Sequence, residues 1–138
     1  MITGGCSCGQ VRYQANSEPL FQLLCHCRDC QKASGTGHVP VMGVAKALFK
    51  VVGYTKSHAV IGGSGKPAIR NFCANCGSLV FGTPESAPHL VTIYAGSLDD
   101  PATFQPQIAV NTKSRSSWDR TVGQIPEFDT MPPRPPAN

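Results

Sequence analysis

Seven cysteines fall in three tight clusters, Cys6-x-Cys8, Cys25-x-Cys27-x-x-Cys30 and Cys73-x-x-Cys76, and no other feature constrains the fold of this chain as strongly. An odd number of thiols cannot pair off completely into disulfides, and thiols one to three positions apart are the pattern of metal ligation. Four thiolates close the tetrahedron of a structural zinc, whereas three leave one position open to water or a substrate atom. Four plus three therefore describes one closed site and one open site.

The rest of the composition says what such sites would hold together. The 138 residues are 41% hydrophobic and only 14% charged, a globular balance, and 14 Gly with 12 Pro point to many turns and few long helices. A chain of this length buries about two thirds of its unfolded surface. One domain is expected over residues 1–130, followed by a proline-rich tail over 131–138 that contains Pro132-Pro133-Arg134-Pro135-Pro136. No apolar run reaches the roughly eighteen residues of a membrane span, and no signal-peptide pattern opens the chain. A soluble, cytoplasmic protein with reduced thiols is the expectation. The formal charge of +4 counts every cysteine as neutral, and seven thiolates on two zinc ions would bring it to about +1. Arg12, Arg28, Lys32, Lys46, Lys50, Lys56, Lys66 and Arg70 are also dispersed, so nucleic acid is not the expected partner.

Short segments rich in Val, Ile, Phe and Tyr recur at 10–14, 20–24, 38–44, 49–52, 58–61, 69–72, 79–81, 90–94 and 107–110. They are bounded by Gly53, Gly62-Gly63-Ser64-Gly65, Pro67, Gly77, Gly82-Thr83-Pro84 and Gly96, which turn or break the chain. The pattern predicts a mainly β, antiparallel domain with one or two short helices. The best helix begins at Cys27 and runs to about Ser34, with no breaker before Gly35.

In Cys73-Ala74-Asn75-Cys76-Gly77 a tight turn aims two sulfurs at one point, and Gly77 frees the backbone where amides turn toward the thiolates. Cys6-Ser7-Cys8-Gly9 supplies a partner pair, since residues separated by one share a face of an extended strand. A zinc joining Cys6 and Cys8 to Cys73 and Cys76 would couple an apparent affinity of ~10–16 kcal/mol to folding. Buried or redox-active cysteines are the alternative.

Cys25-His26-Cys27-Arg28-Asp29-Cys30 differs in character. Cys25 and Cys27 share a face if extended, and Cys30 returns to the same point as a turn or helix starts, which makes a tripod of sulfurs with one coordination position free. Three thiolates outweigh a zinc dication by one charge, so the ion is a weaker Lewis acid than one held by neutral histidines and a poorer activator of water. A soft thiol matches it better, and the resulting thiolate could add to a small carbonyl carbon. Formation or cleavage of a carbon–sulfur bond is the reaction class, with Cys25, Cys27 and Cys30 as candidate catalytic residues. A second structural zinc with His26 or His38 as fourth ligand is the alternative; His26, between two converging cysteines, should point to the opposite face. A non-catalytic zinc module for protein interaction also stays open. So does a redox or metal-buffering protein in which the three thiols cycle through a disulfide.

Taken in order with their surroundings, the clusters resemble the glutathione-dependent formaldehyde-activating enzyme family, which includes centromere protein V-like domains. The likeness rests on Gly4-Gly5-Cys6-Ser7-Cys8-Gly9-Gln10-Val11-Arg12-Tyr13, Cys25-His26-Cys27-Arg28-Asp29-Cys30-Gln31-Lys32, Arg70-Asn71-Phe72-Cys73-Ala74-Asn75-Cys76-Gly77 and Gly96-Ser97-Leu98-Asp99-Asp100-Pro101. Lys113, Trp118-Asp119 and Pro126-Glu127-Phe128 are similar to the family's closing segment. The resemblance implies a β-tent zinc fold in which Cys6, Cys8, Cys73 and Cys76 hold a structural zinc and Cys25, Cys27 and Cys30 hold a labile catalytic zinc, two ions in all. It implies a carbon–sulfur lyase that joins glutathione to formaldehyde, giving S-hydroxymethylglutathione, so a small thiol and a small aldehyde are the implied partners. Arg28, Lys32 and Arg70 are candidates to dock glutathione carboxylates through charge-assisted hydrogen bonds, and Trp118 and Phe128 are candidates to wall a pocket. Asp29 is near the open cluster, but no general base stands out. The sequence leaves oligomeric state open.

Overall fold

Alternating apolar residues and glycine-rich turns fold into two sheets that share a core. The computed structural model describes residues 1–120 and 123–133; the end of the expected tail, from 134 onward, lies outside the described residues. The strands are β1 (Ile2–Gly5), β2 (Arg12–Ala15), β3 (Phe21–Cys25), β4 (Val39–Ala45), β5 (Phe49–Val52), β6 (Thr55–Ile61), β7 (Pro67–Cys73), β8 (Leu79–Pro84), β9 (Leu90–Tyr94) and β10 (Ile108–Val110). One helix, α1 (Arg28–Ser34), and four 3₁₀ turns complete the regular structure among the described residues. The mainly β expectation holds, as does the short helix at the middle cysteine cluster. No helix among the described residues is long and apolar enough to cross a membrane.

A three-stranded sheet has the order β1-β2-β5, and a seven-stranded sheet has the order β10-β3-β4-β9-β8-β7-β6. Among these strands every pairing is antiparallel except β10 with β3, which run parallel with Val110 opposite Cys25, and an isolated parallel bridge joins Ala109 to Glu127. The antiparallel, mainly β expectation holds apart from the pairing of β10 with β3, where β10 enters after a long connection instead of a hairpin. Strand β1 lies outside the β-prone segments of the sequence, because Ile-Thr-Gly-Gly carries little β propensity. Gly4 is nevertheless required there. A Cβ on it would meet Ser97 O and Tyr13 Oη at 2.2 Å, so only bare backbone lets β1 lie against that neighbour.

Strand β4 is buried on both faces, which explains why its sequence does not alternate. Met42 and Val44 join Ile2, Val11, Tyr13, Ala15, Val80, Phe81, Val91 and Ile93 in the core between the sheets. Val39 and Val41 point the other way, with Leu23 and Val110, into a smaller cluster against which Cys25, Cys30 and Tyr94 pack. One cysteine cluster thus has a hydrophobic floor.

Helix α1 starts where sequence and geometry agree. Cys27 is the N-cap with extended φ,ψ, and its sulfur accepts from the Cys30 amide at 3.4 Å. Gly35 closes the helix in the left-handed conformation at φ 71°, its N–H donating to Gln31 O. The buried Gln31 ties the helix down, as its Nε2 donates to His26 O at 2.7 Å and to Ser114 O at 2.8 Å.

Candidate metal centres and the adjoining cleft

Two turns build the first cysteine cluster. Beyond β1 the chain turns at Cys6 to Gly9, with the Gly9 N–H donating to Cys6 O at 3.1 Å and Gly9 at φ 79°. Beyond β7 it turns at Cys73 to Gly77, with the Gly77 N–H donating to Cys73 O at 2.9 Å and Gly77 at φ 74°. The extended-strand placement expected for Cys6 and Cys8 is corrected here. They sit in a turn, and it is the turn that brings Cys6 Sγ within 3.4 Å of Cys8 Sγ. Ser78 Oγ stitches the two turns together, accepting from Ser7 N at 3.2 Å and donating to Ser7 Oγ at 3.1 Å.

Cys6, Cys8, Cys73 and Cys76 present four sulfurs within 4.8 Å of one another, and Cys8 Sγ stands 3.7 Å from Cys73 Sγ. These separations are far beyond a disulfide bond. Four sulfurs about 2.3 Å from one tetrahedral zinc would lie about 3.8 Å apart, so the donor set fits the ion. N–H groups already face the sulfurs, as the buried Val11 N–H donates to Cys6 Sγ at 3.2 Å. Hydrogen bonds from Ser7 and Ser78 bring Cys76 down to about 5, well into the thiolate range.

The second cluster is carried by a strand end and a helix start. Cys25 ends β3, Cys27 caps α1 and Cys30 lies in the first turn, and their sulfurs also fall within 4.8 Å of one another. The convergence expected of an extended pair meeting a helix start is what the backbone produces. No fourth cysteine, histidine or carboxylate joins this cluster among the described residues. Each sulfur has an N–H donor from a different source. Asn111 Nδ2 donates to Cys25 at 3.4 Å, the Cys30 amide to Cys27 at 3.4 Å, and Arg70 Nη2 approaches Cys30 at 4.0 Å. The cluster readily holds one negative charge and resists more: hydrogen bonds from Cys25 and Cys30 hold Cys27 far below an ordinary thiol, while Cys25 and Cys27 push Cys30 far above one. A cation is what lets all three ionise together.

His26 points away from the sulfurs, as its position between two converging cysteines predicts, and is fully buried. Its Nδ1 lies 3.1 Å from Asp119 Oδ2, and His38 Nδ1 lies 2.9 Å from the same oxygen. Neither histidine completes the three-sulfur cluster. The two histidines and Asp119 lie close enough to suggest another metal site, but Arg115 Nη2 faces His26 Nε2 at 3.5 Å. Arginine only donates, so Nε2 accepts and the proton sits on Nδ1, where a metal would need a lone pair; this nitrogen is near Asp119 but makes no aligned hydrogen bond, and it is His38 Nδ1 that bonds the carboxylate. The trio therefore reads as a polar tie holding the segment after β10 onto the β3–α1 corner. Burial, and after it the charges of Arg115 and His38, hold the pKa of His26 below its ordinary value.

A cleft of about 440 Å³ opens beside the three-sulfur cluster, lined by Asp29, Lys32 and Ala33 of α1, by His58, Val60, Arg70 and Phe72 of β6 and β7, and by Gly77 and Leu79. Arg70 belongs to both the cleft and the sulfurs. Of the three basic residues singled out from sequence, Lys32 and Arg70 face the cleft, whereas Arg28 is engaged by Gln31 Oε1. Trp118 is 70% exposed and walls no pocket core. Asn111 and His58 are not marked as site residues by the sequence. Asn111 lies 86 positions from the cysteine it contacts and His58 only lines the cleft, and no local motif marks either.

A mainly β chain whose strand ends and turns gather seven free thiols into a four-sulfur and a three-sulfur cluster, each able to hold a metal ion, is the class that fold and site define. The profile of the glutathione-dependent formaldehyde-activating enzyme family matches residues 1–114, and the chain belongs to that family. A Halomonas elongata protein provisionally named a glutathione-dependent formaldehyde-activating enzyme is 25% identical over 124 residues, covering 86% of this chain and 79% of that protein. The fold is similar to the crystal structure of a Rhodobacter sphaeroides protein, with a TM-score of 0.58 at 18% identity over 91% of this chain and 98% of that one.

Proposed function

We propose that the protein is a zinc-dependent carbon–sulfur lyase or synthase acting on a thiol, glutathione, and a small aldehyde, formaldehyde. The observation that carries this reading is the three-sulfur cluster joined through Arg70 to a basic-lined cleft. In the synthetic direction the thiol sulfur bonds to the carbonyl carbon, the carbonyl π pair moves to oxygen, and the thiol proton ends on that oxygen. Cleavage is the reverse. Zinc held by Cys25, Cys27 and Cys30 would supply affinity for a soft ligand and lower a thiol's pKa, and a second ion on Cys6, Cys8, Cys73 and Cys76 would be structural.

The chain's own residues account for the rest. Lys32, Arg70 and His58 offer cationic or hydrogen-bonding groups to the carboxylates of a tripeptide thiol, while Phe72, Val60 and Leu79 give the cleft apolar walls that keep water from the reacting carbon. Asp29, exposed at the mouth of the same cleft, can pair with the ammonium group of such a thiol. Seven free thiols suit a reducing compartment, and we place the protein in the cytoplasm.

The test compares wild type with Cys27→Ser and Cys76→Ser by metal analysis, circular dichroism and NMR exchange of glutathione with formaldehyde. Cys27→Ser should lose one zinc and all acceleration while staying folded; Cys76→Ser should unfold. Equal loss of fold in both variants, or no acceleration in wild type, would refute the division of roles.

A further inference from the structure

The strand that arrives in the unexpected direction delivers a residue to the three-sulfur cluster. Parallel pairing sets Val110 beside Cys25, and the His26 N–H donates to Val110 O at 3.0 Å. The next residue, Asn111, therefore sits at the corner where β3 passes into α1. It adopts φ 55°, ψ 35°, and it is the one non-glycine residue with positive φ among the described residues. Asparagine tolerates this left-handed conformation better than most residues, but glycine takes it without penalty. The backbone bonds made here are ones glycine would keep, since the Asn111 N–H donates to Thr130 O at 3.1 Å and Asn111 O accepts from the Ser114 N–H at 3.0 Å. Glycine lacks only the carboxamide, and that group donates from Nδ2 to Cys25 Sγ at 3.4 Å, across 86 positions of sequence.

The three sulfurs also differ in what holds them. Cys27 is fixed by a main-chain amide of its own helix, and Cys30 is approached by a guanidinium that lines the cleft. For Cys25 the side-chain N–H comes from Asn111, beside the local Cys27 backbone; Asn111 is a neutral donor that orients a thiolate and draws charge from it without adding a competing cation. We propose that Asn111 is a positioning residue for the three-sulfur cluster, its carboxamide anchoring Cys25 Sγ so that all three sulfurs meet one ion, and that the strain at this position is tolerated for that contact. This rests on the cluster being a zinc site, as inferred above. It adds that the affinity of that site is set in part from β10.

Asn111→Gly separates this role from that of a turn residue, because it relieves the backbone and deletes only the donor. The full chain is loaded with zinc and titrated with a competing chelator, and thermal unfolding is followed after the weaker zinc has been removed, so that lost metal affinity does not itself lower the melting temperature. Asn111→Gly should unfold at or above the wild-type temperature yet hold the weaker zinc about 10–100-fold less tightly, the usual loss on removing a partner of a metal ligand. Asn111→Asp keeps the side chain's shape but replaces the donor with a charge beside the thiolate, and should bind that zinc more weakly than the glycine variant. Unchanged zinc affinity in Asn111→Gly overturns the proposal and leaves Asn111 a turn residue. A second readout needs no metal. In metal-free protein the Asn111 side-chain amide protons should move on Cys25→Ala, and an unmoved resonance also overturns it. If wild type binds no zinc at the cluster, the proposed function falls while the amide resonance still decides the hydrogen bond.

Discussion

Tyr13 shows how much a single side chain in the shared core can report. It is 4% exposed, its hydroxyl meets Ser97 Oγ at 3.0 Å, and burial pushes its pKa up to about 12 from 10.0. A folded-state value above the unfolded one means that stability is fully present below about pH 10 and is lost as pH rises through 12. Two units correspond to about 3 kcal/mol. Urea unfolding of Tyr13→Phe should lose about 2 kcal/mol less stability than wild type between pH 9 and pH 12, since the full loss is reached only above the folded-state value. Gly4 makes a sharper steric test. Gly4→Ala drives a methyl into Ser97 O and Tyr13 Oη and should cost ~1–3 kcal/mol as overpacking. Gly96→Ala, where an added Cβ meets nothing within 4 Å, should leave the melting temperature nearly unchanged. Neither effect is legible in the sequence, which shows glycines but not what lies against them.

At the scale of elements, α1 is held at both ends and on its buried face. Gln31 spans the helix, the His26 carbonyl and the Ser114 carbonyl, so Gln31→Ala strands two acceptors and should destabilise by ~1–3 kcal/mol in thermal melts. The segment after β10 is tied to the same corner by Asp119. Gly37 admits that carboxylate, since a Cβ there would lie 2.4 Å from Asp119 Cγ. Because Gly37 does not adopt a positive φ, Gly37→Ala tests space alone and should loosen the Asp119 tie, seen as faster amide exchange in residues 112–119. The extent of α1 was readable from a stretch free of breakers ending at Gly35. The contacts of its buried face were not, because Gln31 looks like any polar helix residue until its partners are in place.

For the whole molecule, the four-sulfur cluster joins the first hairpin of the small sheet to the β7–β8 turn of the large one. On the proposed reading, a strong chelator should remove metal in two stages. The three-sulfur cluster should empty first with the far-ultraviolet dichroism intact, and the four-sulfur cluster should empty only as the fold is lost. Simultaneous loss of both, with no folded intermediate, would count against unequal roles.

Cysteine spacing and short β-prone segments are local properties, and they were enough to read a mainly β chain, a helix opening at Cys27 and the grouping of thiols into four and three. Ligand geometry within a cluster is set over a few residues, so it is written in those residues. The fold alone decided that β10 would run parallel to β3, that Asn111 and Arg70 would reach Cys25 and Cys30, and that His26 would turn to Asp119 instead of joining the sulfurs. Those contacts span 40 to 93 positions. They depend on strand register and on which face each strand buries, and register is fixed only when both sheets close on one core.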